Sequence, residues 1–466
     1  MNTNRKPRPA GHRRFIIGIC LASFAGCLDF TVVNTALPAI REQFSAGLNT
    51  LQWVMTLFVM ALCCCMVLAT RLGERYGSRS VLYGGMLVFS LASLSAGLAP
   101  GLPVLIVSRL FQGAGCAVLY TATTAMLVEV IPESRRGRAL GILFAANGLG
   151  LTLGPVAGGL LVELSGWRAI FLINVPLMLA SYLCCRGAIK TSVERSAIRI
   201  DFPGWLLMST GVVPVLVWSA HVDRWGVINL PSIILLLTAV TALCLFTVRE
   251  RRIAEPLIDL SLISVVLYRR ACLLSIFLAV FYCASFFLLP FKLLAIYSLT
   301  SAELGLMLLP VTLVMALTSP LAGKLADRFG AWPVLAGGFI LLSLSAVLQS
   351  TFAAPQSSCT LMTAFALMGI GWGAVLGPGV AAALSTLPLS QHGQGIGISW
   401  TLHNLGGALG LTVATHIFQS GGLVSGYRWV MWLLAGLSCA GAIIALIAWR
   451  STGRRATDAV AVAVEE

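Results

Sequence analysis

The sequence predicts an all-α polytopic membrane protein, and three observations carry the prediction. The 466 residues are 58% hydrophobic and only 10% charged, with a mean hydropathy of +0.92. A soluble domain of that composition would expose too much apolar surface, whereas a chain solvated by lipid requires it. Fourteen apolar stretches have about the 20-residue length that carries a helix across a bilayer. Finally, residues 72–85 (L-G-E-R-Y-G-S-R-S-V-L-Y-G-G) recur in register as residues 325–338 (L-A-D-R-F-G-A-W-P-V-L-A-G-G), the mark of a duplicated helical unit.

The stretches, in order, are 15–37, 53–70, 81–98, 104–128, 140–162, 169–185, 202–220, 230–248, 271–289, 304–322, 332–350, 361–384, 396–418 and 429–449. Arg13 and Arg14 precede the first in the manner of a signal peptide, but its length and the lack of a small-residue cleavage site favour retention as a span. The fourth, fifth, twelfth and thirteenth carry many Gly, Ser and Thr residues, which membrane helices tolerate. Twelve of the 13 cysteines fall within spans, where they act as small hydrophobes, and only Cys359 lies near an outer edge. No disulfide framework follows.

Starting with the N-terminus inside and alternating sides places 25 of the 31 Lys and Arg residues in the cytoplasm. Five (Arg41, Arg168, Arg224, Lys292 and Arg428) fall outside, and Arg109 is left alone within a span. The net charge of +14 therefore reads as membrane topology and contact with anionic lipid. Arginines scattered over many short loops form no nucleic-acid footprint. The duplication divides the chain into a cytoplasmic tail (1–14), a six-helix bundle (15–190), an inserted helix pair with flanking cytoplasmic linkers (191–270), a second six-helix bundle (271–450) and a cytoplasmic tail (451–466). The polar segments 186–201 and 249–270 are the boundaries.

Residues within the spans are candidates for chemistry. Asp29 lies about 21 Å along its span at 1.5 Å per residue, deep in hydrocarbon, where a carboxylate is costly and faces the bundle interior or a water-filled cavity. It either couples proton uptake to transport or serves as a structural hydrogen-bonding group. Arg109, with Gln112 on its face, either pairs with an acid and tunes its proton affinity or ties backbone carbonyls together. Counting from the opposite membrane faces puts Asp29 and Arg109 at coincident depth, so they are expected to pair. Glu129 reads most simply as a loop-end acid paired with Arg135 or Arg136. His403 and Asn404 either line a cavity or bond between helices, and His416 falls on the opposite helix face. Gly369, Gly371 and Gly373 sit in an apolar span and read as packing residues. Gly150, Gly154 and Gly158 form a bare ridge on one helix face that admits a close neighbour, and Pro155 is expected to bend that helix.

Several of these segments together resemble the major facilitator superfamily, and within it the fourteen-span drug/proton antiporters. Residues 28–38 (L-D-F-T-V-V-N-T-A-L-P), which contain Asp29 and Asn34, are similar to that branch's first-span signature. Leu51-Gln52-Trp53 is similar to the start of its second span. Arg109, Gln112, Gly113 and Gly115 resemble the fourth-span motif, and residues 150–159, including Pro155 and Gly159, the fifth-span antiporter motif. Trp167-Arg168, Phe171, Asn174 and Pro176 continue the pattern. The first loop motif departs from the family, with Thr70 and Glu74 where Gly and Asp are usual; the second copy keeps Gly323 and Asp327.

The resemblance implies a major-facilitator fold of two six-helix bundles plus two inserted helices. The candidates for proton coupling and the substrate cavity are then Asp29, Asn34, Arg109, Gln112, His403 and Asn404, and those for conformational motifs are Gly113, Gly150, Gly154, Pro155, Gly158 and Gly159. Glu74, Arg75, Gly77, Asp327, Arg328 and Gly330 become a cytoplasmic gate. The chain contains no G-x-x-x-x-G-K-[ST], no H-E-x-x-H and no Cys/His cluster with metal-ligand spacing. The expected function is a secondary exporter of the inner membrane that moves an amphipathic or lipophilic small molecule outward against protons. It would use the proton gradient, no cofactor, no metal and no nucleic-acid partner, and its short outer loops offer little surface to a periplasmic adaptor. Export of a defined metabolite, such as a siderophore or amino-acid derivative, is the alternative. A membrane enzyme or receptor is the rival from another class.

Overall fold

Helices supply all the regular structure of the computed structural model, which describes residues 9–186, 199–226, 229–297, 301–352 and 356–465. In chain order they are α1 (Pro9–Phe44), α2 (Leu48–Tyr76), α3 (Ser78–Gly97), α4 (Leu102–Val130), α5 (Glu133–Ser165), α6 (Ala169–Leu172), α7 (Asn174–Cys185) and α8 (Phe202–Trp225). There follow α9 (Leu230–Glu250), α10 (Ser261–Ser264), α11 (Val266–Tyr297), α12 (Ser301–Phe329), α13 (Ala331–Gln349), α14 (Ser358–Leu384), α15 (His392–Gly421) and α16 (Tyr427–Glu465). Among the described residues, 12 helices are long and apolar enough to cross a membrane. The expected sixth span is shared between α6 and α7, which break at Ile173. The expected thirteenth lies in α15, 30 residues long but interrupted by Gly, His and Gln residues that lower its hydropathy.

Several boundaries differ from expectation because helices run past the apolar stretches that nucleate them. α1 begins at Pro9, inside the expected tail, and α16 continues to Glu465. Most of the expected boundary 186–201 lies outside the described residues. α5 runs unbroken through Pro155.

The helices group into two compact units. The first takes residues up to Pro132, Ala146–Leu260 and Ser390–Thr401; the second takes Glu133–Ala145, Ser261–Leu389 and residues from Leu402. The inserted pair α8–α9 thus groups with the N-terminal helices. Trp205 Nε1 on α8 donates to the Cys64 carbonyl of α2 at 2.8 Å, and Gly211 of α8 faces Leu243 of α9 so closely that a Cβ would stand 2.6 Å from its Cδ2. Within this unit Ser181 of α7 donates to the Gly18 carbonyl of α1, and Gly115 of α4 meets the Phe89 backbone of α3. Val32, Val33, Ile40, Val54, Leu105, Trp167 and Phe171 form its buried apolar core.

In the second unit Gly338 of α13 and Gly371 of α14 abut, and Gly369 and Gly373 of α14 lie against α12, which makes the three glycines of α14 packing residues. Leucines such as Leu87, Leu237 and Leu317, each about 60% exposed, point outward as lipid-facing side chains do.

At the start of α8, Asp201 accepts from Arg249 at the end of α9 in a two-pronged pair, Nη2 to Oδ1 at 2.8 Å and Nε to Oδ2 at 3.0 Å. The Arg249 guanidinium holds the Asp201 carboxyl below its usual range. A depressed folded-state value stabilises the folded state above the unfolded carboxyl's pKa, near 4, and that contribution is lost as the pH falls through the folded value. Asp201→Asn should therefore lower the Tm of the purified protein at pH 7, with the gap to wild type closing as the pH falls through the depressed folded-state value.

Candidate functional site

Asp29 of α1 and Arg109 of α4 meet inside the first unit, both without solvent exposure. Arg109 Nη1 donates to Asp29 Oδ2 at 2.5 Å and to Gln112 Oε1 at 2.9 Å, and its Nε donates to the Val54 carbonyl of α2 at 3.0 Å. The other carboxylate oxygen accepts from Asn174 Nδ2 of α7 at 2.8 Å and from Gln112 Nε2 at 3.2 Å. Ser93 of α3 accepts a second bond from Gln112 at 2.7 Å. The Phe58 ring lies under the guanidinium, 4.0 Å from Cζ, and Phe171 flanks it at 5.9 Å. Five helices therefore contribute to the cluster around one carboxylate. Arg109 Nη2 and Asn174 Oδ1 are the polar atoms of this cluster left without a partner. Removing one member of a dry ion pair typically costs about 3–5 kcal/mol, because the other charge is left uncompensated.

The glycine ridge of α5 lies against α1, the helix that carries Asp29. A Cβ at Gly150 would stand 2.5 Å from the Phe24 carbonyl oxygen, and Cβ atoms at Gly154 and Gly158 would collide with Thr31 and Thr35. Gly159 points into open space and is not part of the seam. Gly113 on α4 faces the Phe58 backbone of α2, one turn along α2 from Val54. Gly113 thus brings α2 and α4 close beside the polar cluster, and the ridge packs α5 against the helix that carries Asp29.

The two repeated loops share a construction. α2 ends at Gly77 (φ +86°) and α12 ends at Gly330 (φ +88°), a backbone region that other residues enter at a cost. In the second unit Asp327 accepts from the Gly137 and Arg138 amides of α5, at 2.8 and 2.9 Å. Gly323 lies back to back with Gly137. In the first unit Glu74 accepts from Arg71 Nη1 at 2.8 Å and from the backbone of Gln394, near the start of α15. Thr70 there faces Gly397, so the glycine missing from the first loop is supplied by its partner helix. Arg75 lies over the Tyr76 ring and Arg328 over the Phe329 ring, and among the described residues neither forms an ion pair with its neighbouring acid.

Other expectations shift. Lys292, expected outside, is buried in α11 with its ammonium 5.6 Å from the centre of the Tyr427 ring, so Arg109 is not the lone cation within the helices. The helix continues to Tyr297, past the point where the apolar run stops. Glu129, expected as a loop-end acid, accepts from Ser78 at the start of α3 at 2.6 Å. Asn34 is exposed on α1 and takes no part in the Asp29 cluster. His403 is buried in the second unit, where its Nδ1 lies 3.0 Å from the Ser275 carbonyl oxygen and its ring stacks at 5.6 Å on Tyr282, which stacks at 4.9 Å on Trp372. Asn404 beside it is half-buried.

The sequence profile of the Major Facilitator Superfamily matches residues 19–201 and 271–463. The chain belongs to the Major Facilitator Superfamily. It is a multi-pass membrane transporter of that superfamily, and the unmatched segment between the two matches contains α8 and α9. The chain is 32% identical over 405 residues to the multidrug resistance protein Stp of Mycobacterium tuberculosis, covering 85% of this chain and 74% of that protein. It is 30% identical over 400 residues to the tetracenomycin C resistance and export protein of Streptomyces glaucescens, with the same coverages, and 28% identical over 404 residues to the riboflavin transporter RibZ of Clostridioides difficile, covering 86% and 87%. The solved structure of the human organic anion transporter MFSD10 superposes with a TM-score of 0.65 at 17% identity, covering 94% of this chain and all of that one.

Within this superfamily member, reasoning from sequence missed Ser93 and Asn174 as partners of Asp29, and Arg71 as the cation of Glu74. Ser93 is one of several serines in α3 and carries no distinguishing signal. Asn174 was visible as a polar residue at a break in an apolar stretch. Asn174→Leu removes a charge-assisted bond to a buried carboxylate, worth about 1.5–3 kcal/mol, and should lower the Tm by several degrees. Gly154→Leu should impair transport and thermal stability together in purified protein, while Gly159→Leu leaves both near wild type.

Proposed function

We propose that the protein is a proton-coupled exporter of amphipathic or lipophilic small molecules, of the fourteen-span multidrug-efflux type, working by alternating access across the inner membrane with both termini in the cytoplasm. The observation that carries the reading is the dry Asp29–Arg109 pair held by Gln112 and Asn174 within a transporter bundle. The carboxylate accepts every bond it makes, so a proton arriving on it displaces a donor. With Arg109 left facing a neutral acid in a low-dielectric interior, the cluster must rearrange, and protonation is thereby tied to conformation. Arg109 Nη2 and Asn174 Oδ1, the unpaired atoms, are where a substrate acceptor or donor would begin that rearrangement.

Two features support the rest of the cycle. The acids Asp327 and Glu74 each accept backbone amides from another helix, contacts that a moving bundle makes in one state and breaks in another. The named relatives include a multidrug resistance protein and a tetracenomycin C resistance and export protein. Relatives also include a transporter of a single metabolite, riboflavin, which keeps export of a defined metabolite as the second reading.

In proteoliposomes with an imposed pH gradient, Asp29→Asn should abolish gradient-driven substrate movement and substrate-induced proton flux while substrate binding persists. Full coupling in that variant would overturn the proton role of Asp29. Arg109→Ala should shift the pH dependence of transport in whatever fraction folds. Asp327→Ala should slow turnover at normal membrane insertion, and unchanged kinetics would remove the cytoplasmic latch from the cycle. An efflux screen comparing cells that lack or overproduce the protein separates the drug and metabolite readings.

A further inference from the structure

At the start of α11 a groove of about 310 Å³ opens in the second unit, lined by Ile263, Tyr268, Arg269, Arg270, Cys272, Leu273, Ile276 and Leu402. Its walls are apolar and its rim is cationic. Arg269 is exposed and Arg270 half-buried, and neither guanidinium has a hydrogen-bond or ion-pair partner among the described residues. Around the rim Ile263, Val265, Val266 and Leu273 are each about 36–45% exposed, an apolar collar suited to the edge of a bilayer. Two unpaired guanidinium groups beside exposed aliphatic side chains match one ligand chemistry, an anionic headgroup joined to a hydrocarbon chain. The first turn of α11, beginning at Val266, adds the positive end of a helix dipole at the same place.

We propose that this groove is a binding site for an anionic phospholipid, with the phosphate on Arg269 and Arg270 and an acyl chain between Ile276 and Leu402. A zwitterionic lipid would bring its own cation to the rim and lose most of the charge complementarity. The site also touches a functional seam. Ile276 and Leu402 neighbour Ser275 and His403, the residues that bond α11 to α15, and Ile276 packs on Gly406 of α15. An occupying chain therefore braces the α11–α15 contact. The inference rests only on the membrane location of the chain, not on proton coupling or substrate.

The test is binding of dioleoylphosphatidylglycerol against dioleoylphosphatidylcholine to the purified full-length protein, read by native mass spectrometry and by Tm, and it involves no transport assay. Phosphatidylglycerol should be retained preferentially and raise the Tm by several degrees. Arg269→Gln with Arg270→Gln should weaken its binding about tenfold or more and leave phosphatidylcholine unaffected. Ile276→Trp, which fills the groove, should do the same with both arginines intact. On the wild-type protein, retention should fall as salt rises. Equal retention of the two lipids, unchanged phosphatidylglycerol binding in the arginine variant, or displacement by glycerol phosphate at equal concentration would each overturn the proposal, the last by showing a site for free anions.

Discussion

A charge inside a lipid-solvated bundle must find its compensation within the protein, and the Asp29–Arg109 pair is where this molecule meets that demand. The pair is fully buried, so water contributes nothing to either partner. Both oxygens of the carboxylate and two of the three guanidinium nitrogens are satisfied by side chains or backbone from α1, α2, α4 and α7, with α3 supporting Gln112 through Ser93. Five helices therefore have fixed relative depth and rotation at this level. Gly113 on α4 serves the same demand by letting α4 approach the Phe58 backbone of α2, and the glycine ridge on α5 packs that helix against the one that carries Asp29. The structural and the functional readings of the pair then coincide, since a cluster that fixes helix positions also reports any change in its own charge to all of them.

The repeated loops show how duplication conserves a physical solution while altering its residues. Each places an acid on the amides of another helix and closes its own helix with a glycine at positive φ. The first copy uses Glu74 and Thr70, a longer acid and a bulkier neighbour. It compensates with Arg71 beside the acid and Gly397 across from the threonine. Arg71 also binds the carbonyls of Pro256 and Leu257, and so ties the chain that follows the inserted pair to the end of α2. Together with Trp205 on the Cys64 carbonyl, this explains why α8 and α9 pack with the N-terminal helices.

Much of the fold was legible from sequence because lipid imposes a simple rule, that apolar length marks a helix and basic loops mark a side. The rule failed where other physics took over. α6 and α7 break at Ile173, next to the Asn174 that bonds Asp29, an interruption that no hydropathy window registers. α15 is a full-length helix in spite of its polar and glycine residues, because neighbouring helices and not lipid bury them. Lys292 was misplaced because α11 continues beyond the apolar run, with the Tyr427 ring receiving the ammonium.

What the sequence determined by itself was composition, periodicity and repetition. These dictated a helical membrane protein, its duplication, and the depth at which one acid and one arginine had to coincide, while the motifs at residues 28–38, 109–115 and 150–159 carried the resemblance to the family. Only the tertiary structure decided which serine and which asparagine complete their cluster, which arginine serves Glu74, and which face of α1 receives the glycine ridge. The physical reason is that depth along a helix follows from counting residues at a fixed rise, whereas contact between helices depends on rotation and neighbour choice. Those are set jointly by every side chain at the seam and written at no single position.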